Sequence, residues 1–290
     1  MIKRTRNEPM WLHTTFRIGG PAEYYAEPEC TEEIGQLIEE ARGRGIPYVV
    51  IGRGSNLLVG DGGYRGMVIC LGRAFSRVTV MGNTLEAQAG AMLGAAAGCA
   101  LERGLKGMEF ASGIPGSVGG ALVMNAGAYG SEIKDILSEA ELLFPDGEIA
   151  WVPLEALDYA YRHSNIEALG RIVLRARFSL QPGERADILG LMKSYGEKRR
   201  EKQPLEYPSA GSTFKRPAGH FAGQLIEEAG CKGLRVGDAQ ISEKHAGFLI
   251  NTGQATARDV RMLVEEVQRR VFLHAGVELK PEIQFIGEFL

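Results

Sequence analysis

Residues 107–130 read Gly-Met-Glu-Phe-Ala-Ser-Gly-Ile-Pro-Gly-Ser-Val-Gly-Gly-Ala-Leu-Val-Met-Asn-Ala-Gly-Ala-Tyr-Gly. Gly113, Gly116, Gly119, Gly120, Gly127 and Gly130 crowd a segment with almost no charge. Here the backbone can take positive φ and approach a partner with no Cβ in between. Backbone N–H groups exposed in such turns form concave anion sites. Ile114, Pro115, Val118, Leu122 and Val123 supply an apolar face for an aromatic ring. The stretch reads as a wall against which something flat and phosphorylated lies; taken alone, it reads equally as a buried, tightly turned loop.

Moving outward, a second glycine loop lies upstream. Thr31 caps a helix with Glu32 and Glu33 in its first turn, apolar residues at Ile34, Leu37, Ile38 and Ala41, and Gly43 and Gly45 at its end. The strand Pro47–Ile51 follows, and Gly52-Arg53-Gly54-Ser55-Asn56-Leu57 comes straight off it. The loop opens like a dinucleotide fingerprint, but Leu57 occupies the third glycine position and no helix pattern follows before the strand Met67–Leu71. A Gly-Lys dipeptide is absent from the whole chain, which excludes a phosphate-binding P-loop.

Downstream, Val78–Val80 and Leu85–Gln88 form a hairpin and Met92–Arg103 a closely packed helix. Leu137–Phe144 and Glu148–Val152 are strands joined by the turn Pro145-Asp146-Gly147, and Ile172–Leu180 alternates as a half-buried strand. The composition shifts at Gln181-Pro182-Gly183. A helix over 186–202 ends in the charged run Glu197–Lys202, read as a solvated face, and Ser209–Pro217 reads as a short polar loop. Ala222, Leu225, Ile226 and Ala229 mark another helix. Thr256-x-x-Asp259 is a capping box before a third, which Gly276 ends.

A chain of 290 residues is long for one core and fits two or three domains. With 33 basic against 36 acidic residues there is no basic field to gather nucleic acid. Lys3, Arg4 and Arg6 are followed by no apolar h-region and no window reaches a membrane span, so neither a secretory signal nor a membrane partner is expected. Cys30, Cys70, Cys99 and Cys231 form no C-x-x-C pair, so a metal site and a disulfide framework are not expected. Small buried filler in a reducing cytoplasm is the simple reading.

Singly, Arg162 reads as a loop arginine, Ser212 as a turn former and Glu282 as a surface carboxylate, while His163 and His245 read as hydrogen-bonded structure. Their motifs in order change that. Gly52-Arg53-Gly54-Ser55-Asn56, Gly113-Ile114-Pro115-Gly116-Ser117-Val118-Gly119-Gly120, Tyr161-Arg162-His163-Ser164, Ala210-Gly211-Ser212-Thr213-Phe214 and Pro281-Glu282-Ile283 together resemble the bacterial UDP-N-acetylenolpyruvoylglucosamine reductases, the MurB flavoenzymes, from Thr15 to Phe289. Residues 163–211, 49 in all, separate Arg162 from Ser212, similar to the family's shorter form, which lacks an extra loop.

The resemblance implies an α+β protein. Its FAD-binding fold, of the vanillyl-alcohol oxidase type, has subdomains at 1–70 and 71–202, with the C-terminal strand 277–290 returning to the second, and 203–276 form an α+β substrate domain. It implies FAD as cofactor, NADPH as co-substrate, a UDP-sugar carrying an enolpyruvyl carboxylate as substrate, a cytoplasmic location and a monomer. Reduction of the enol ether places hydride from the flavin on the terminal carbon and pushes charge toward the carboxylate, where it must be stabilised. The implied catalytic residues are Arg162, whose permanently charged fork holds a carboxylate, Glu282, which donates at the same centre, and Ser212, which gives the final proton. The implied flavin contacts are Gly52, Arg53, Gly54, Ser55, Asn56, Leu57, Ser112, Gly113, Gly116, Ser117, Gly119, Gly120, Asn125 and Ala126. Tyr161, Lys202, Lys215, Gln224 and Arg216, where the longer form often has Asn, are the implied substrate contacts. Two alternatives stand beside this: an FAD-dependent oxidase of a small alcohol or 2-hydroxy acid, and a non-catalytic flavin or nucleotide-sugar binding module. Gly52–Gly60 lacks the histidine that such oxidases often use for covalent attachment, and the Arg, Ser and Glu motifs are all present.

Overall fold

A computed structural model describes residues 2–290. The described residues divide into two compact units, the first made of 2–3, 26–53 and 69–199, the second of 4–25, 54–68 and 200–290. This differs from the three consecutive segments expected, because core residues of the second unit are drawn from both ends of the chain.

In the first unit, helix α1 (Thr31–Arg44) buries Ile34, Leu37, Ile38 and Ala41 and ends at Gly45 in the left-handed region. Cys30 is the N-cap, so Thr31 is the first helical residue instead of the cap. The strand Tyr48–Ile51 follows, and the next regular element after the glycine loop is the strand Leu57–Val59, which agrees with the exclusion of a dinucleotide fingerprint. The centre of the unit is a five-stranded antiparallel sheet in the order 149–153, 137–143, 172–179, 84–88, 78–81. Helix α2 (Leu93–Glu102) and the short helix α3 (Val118–Val123) pack against it. On the sheet's outer side Arg175 and Arg177 pair with Glu86, Glu139 and Glu141 beside Trp151. Helix α4 (Arg185–Lys202) carries the chain out of this unit.

The second unit contains a four-stranded sheet in the order 209–212, 248–251, 239–241, 235–236, with helices α5 (Ala222–Glu228) and α6 (Ala257–Ala275). Leu225, Ile226, Val260, Leu263, Val264, Val267 and Val271 from the helices meet Leu249, Ile241 and Ala239 from the sheet, and Phe16, Ile18 and Leu58 complete this core. The capping box forms as the sequence requires: the Thr256 hydroxyl accepts from Asp259 N–H, and the Asp259 carboxylate accepts from Thr256 N–H.

Three further expectations are corrected. Ser209–Ser212 is a strand, not a loop; its apolar residue Ala210 is buried and its polar residues face outward or into turns. The C-terminal strand Gln284–Ile286 pairs in parallel with Leu57–Val59, so it joins the segment after the first glycine loop and does not return to 71–202. Cys70 and Cys231 are buried as expected of filler, whereas Cys30 is exposed.

Candidate active site

Each unit carries part of the residue set. In the first, the glycine-rich stretch folds back onto residues 89–93: Val118 N–H donates to Ala91 O, Gly119 N–H to Ala89 O, and Leu93 N–H to Gly116 O. Of its seven glycines Gly107, Gly116 and Gly130 take positive φ (121°, 154° and 88°). Elsewhere the missing side chain permits close approach. A Cβ on Gly52 would lie 2.1 Å from Ser117 Oγ, so the two glycine loops meet where only glycine fits. Ser117 is 3% exposed and its hydroxyl accepts from Gly120 N–H at 3.4 Å, making it the N-cap of α3.

Asn125, also named as a flavin contact, is 0% exposed and has φ 42°. Its amide nitrogen donates to Glu132 Oε2 at 2.9 Å and to Ala160 O at 3.0 Å, and its amide oxygen accepts from Lys134 N–H at 3.1 Å. The side chain is thus a tie between two loops. The Ser112 hydroxyl donates to Glu109 O at 2.8 Å within its own turn. Ala126 donates to Ala121 O and accepts from Ile133 N–H.

The loop that Asn125 reaches carries Arg162. Ser164 Oγ donates to Val123 O at 2.8 Å, and the Arg162 guanidinium donates to Asn125 O at 3.4 Å and to Gly127 O at 3.2 Å. It lies 5.0 Å from the centre of the half-exposed Tyr161 ring. The backbone of Arg162 is left-handed, φ 52°. His163, exposed, stands 3.7 Å from Asp158 and exchanges backbone bonds with Ala160.

Arg199 is a residue that sequence reasoning missed. It belongs to the charged run read as solvated, yet it is half-buried, and a Cβ on Gly113 would lie 3.3 Å from its Cδ. Burial pushes its pKa below the ordinary value, with the charge of Tyr129 a smaller opposing effect. The available signal was its helical face: Tyr195, Gly196, Lys202 and Gln203 stand three and four residues away, with no acid among them. Tyr195 itself stacks on Tyr129 at 4.0 Å.

The second unit carries the other half of the glycine loop together with Ser212 and Glu282. Ser212 sits at the end of a bulged strand: Ser209 pairs with Ile250 and Ser212 with Phe248, and the register shifts between them, where Gly211 has φ 78°. Its hydroxyl is exposed and makes no hydrogen bond among the described residues. The next residue, Thr213, is 1% exposed; its hydroxyl accepts from Leu249 N–H and its carbonyl accepts from Glu282 N–H at 2.8 Å. Ser212 and Glu282 are therefore joined through one residue. His245 lies nearby, accepting from Gly247 N–H at 3.1 Å, and burial lowers its pKa. It is structural, as the sequence suggested.

Among the candidate substrate contacts, Lys202 and Arg216 are exposed, Lys215 is half-buried, and Arg216 packs over the exposed Phe221 ring at 4.6 Å. Gln224 is engaged along its own helix, donating to Glu228 at 2.8 Å. Arg53 is exposed, and Leu57 begins the strand that pairs with Gln284.

The residues present fit a flavin nucleotide on one specific ground. Among the described residues the backbone N–H groups of Gly54, Ser55 and Asn56, and those of Gly116 and Ser117, donate to no protein group. Successive N–H groups of this kind are what a pyrophosphate requires.

Comparison with known proteins agrees. Residues 22–153 match the family model of an FAD binding domain, and residues 203–286 match that of the UDP-N-acetylenolpyruvoylglucosamine reductase C-terminal domain. The UDP-N-acetylenolpyruvoylglucosamine reductase of Agathobacter rectalis is 54% identical over 98% of this chain and 94% of its own. That of Caldanaerobacter subterraneus is 49% identical over 97% and 93%. The crystal structure of the Thermus caldophilus UDP-N-acetylenolpyruvylglucosamine reductase (MurB) is similar with a TM-score of 0.85 at 38% identity, covering 99% of both chains.

Proposed function

The chain belongs to the UDP-N-acetylenolpyruvoylglucosamine reductase family, and from that premise we propose how its residues divide the reaction. The protein is an FAD-dependent oxidoreductase that reduces the enolpyruvyl group of UDP-N-acetylenolpyruvoylglucosamine in peptidoglycan synthesis. FAD, when bound, would supply the redox chemistry between NADPH and the enolpyruvyl group. Everything else falls to the chain's own side chains.

Arg162 holds the substrate carboxylate, toward which negative charge moves as the double bond is reduced. A guanidinium stays charged at any working pH and is more weakly hydrated than an ammonium, so it suits this task. Glu282 donates a hydrogen bond or proton at the same centre. Ser212 gives its hydroxyl proton to the carbon that bears the carboxylate. An alcohol is a weak acid, but the acceptor is a strong carbon base and the hydroxyl needs only to be free and within reach. The observation that carries this assignment is the Thr213 link, which gives Ser212, unencumbered, and Glu282 a common backbone anchor.

Gly54, Ser55 and Asn56 offer main-chain donors to the pyrophosphate of the cofactor, and Gly113 and Gly116 leave a flat approach to its ring. Lys202, Lys215 and Arg216 are the cations available to the diphosphate of the sugar nucleotide. NADPH and the substrate use one site in turn, which gives ping-pong kinetics. The enzyme works as a cytoplasmic monomer.

An anaerobic absorbance titration tests the reading. NADPH is expected to bleach the flavin band, and the enolpyruvyl sugar nucleotide to restore it. In Ser212→Ala the bleaching persists while the return slows by orders of magnitude. Recovery of the band only when oxygen is admitted would favour an oxidase, and a wild-type return rate in Ser212→Ala would remove that serine from the mechanism.

A further inference from the structure

Two half-buried polar side chains of the second unit, Thr15 and Asn56, link the cofactor loop to the segments that carry the proposed catalytic residues. Thr15 donates its backbone N–H to Gly54 O at 3.3 Å and its hydroxyl to Ser209 O at 2.7 Å. Ser209 opens the bulged strand that ends at Ser212, so the hydroxyl anchors a carbonyl at the point where the ladder loses register. Asn56 grips the other residue. Its side-chain amide donates to Glu282 O at 2.9 Å, while its carbonyl accepts from Gln284 N–H at 2.9 Å. With Thr213 O on its N–H, Glu282 is held at both of its main-chain polar groups, one from the serine strand and one from the glycine loop.

We propose that Thr15 and Asn56 are positioning residues, which fix Ser212 and Glu282 in register with the cofactor loop, Thr15 through the Ser209 carbonyl and Asn56 through the Glu282 carbonyl. The inference rests on the roles proposed above for Ser212 and Glu282. It assigns one N–H of the Asn56 side-chain amide to the protein, beside the main-chain N–H proposed above for the cofactor. A hydrogen bond to a backbone carbonyl on each catalytic segment is a short lever. Displacing a reacting group by about 1 Å costs on the order of 100-fold in rate, even when the displaced residue still folds into place.

The test compares half-reactions in holoenzyme variants. Thr15→Val keeps the branched shape and the main-chain bond to Gly54 but removes the hydroxyl; Thr15→Ser restores it. Asn56→Ala removes the amide. In Thr15→Val, flavin content and the rate of flavin reduction by NADPH are expected within about twofold of wild type; in Asn56→Ala, whose residue also belongs to the cofactor loop, both half-reactions are compared per flavin bound. Return of the flavin band on adding the enolpyruvyl sugar nucleotide is expected to slow roughly 10- to 100-fold. The solvent deuterium isotope effect on that step should rise as proton delivery becomes limiting, and Thr15→Ser should recover most of the rate. Loss of both half-reactions in proportion to lost flavin would make these residues part of the cofactor-binding fold only, overturning the proposal. Ser212→Ala and Glu282→Gln run alongside. Slow return in these two beside a wild-type Thr15→Val overturns the positioning role alone, whereas wild-type return in these two overturns the catalytic assignment on which it rests.

Discussion

Arg162 combines a left-handed backbone with a side chain folded back onto two carbonyls, those of Asn125 and Gly127. A non-glycine residue in that region carries local strain, here held by the bonds around Asn125 and Ser164. A guanidinium carries five N–H donors in a fixed fork, so one arginine side chain can serve backbone carbonyls and a carboxylate alike. A lysine cannot do both, because its ammonium is a point charge with three donors at one atom. Arg162→Lys is therefore expected to fold normally and to slow flavin reoxidation by substrate about 100-fold, the scale seen when one charge-stabilising donor is removed. Stopped-flow measurement of that half-reaction decides it, and unchanged turnover would refute the carboxylate role. At this scale the sequence motifs named Arg162, Ser212 and Glu282, but they also named Ser117, Asn125 and Gln224. Those three side chains are engaged by Gly120, by Glu132 and Ala160, and by Glu228. A motif reports the residue type at a position and not the direction in which the side chain is used.

Helix α6 shows how far an element can be read from its own letters. Its capping box, its apolar face and its terminal Gly276 were all legible, because each depends on residues within one turn of one another. Its second cap was not. The Asp61 carboxylate accepts from the N–H groups of Ala257 (2.8 Å) and Arg258 (2.9 Å), from 196 and 197 residues away. These are donors that the helix start leaves without partners. Removing them from a side-chain acceptor should matter, so Asp61→Ala is expected to lower stability by about 1 kcal/mol. A urea denaturation series would show a lower midpoint at unchanged slope; a midpoint equal to wild type would mean that water replaces the carboxylate at no cost. The strand Ser209–Ser212 is the opposite case. Its Gly, Ser and Ala residues carry almost no strand propensity, and it becomes a strand because 248–251 offers a ladder and Ala210 a buried contact.

At the scale of the whole molecule, the order of residues along the chain is a poor guide to which residues share a core. Phe16 is 0% exposed and packs in the core that surrounds α5 and α6, and its carbonyl accepts from Asn251. Phe16→Ala is accordingly expected to cost about 3–5 kcal/mol, the range for truncating a buried aromatic. Hydrogen exchange should show the loss of protection in the strand 248–251, more than 200 residues away in sequence; protection lost only near residue 16 would contradict the assignment. The sequence by itself determined the glycine loops, the helices, the capping box of α6, the alternating strands of the central sheet and the ordered motifs that mark the family. All of these are short-range patterns, set by backbone freedom and by the periods of helix and strand. Only the tertiary structure decided that the C-terminal strand pairs with Leu57–Val59, that Arg199 lies half-buried against Gly113, and that Thr15 and Asn56 reach the segments bearing Ser212 and Glu282. Those contacts satisfy individual donors and acceptors left over once the local elements have formed, and a leftover carbonyl has no signature in the sequence around it.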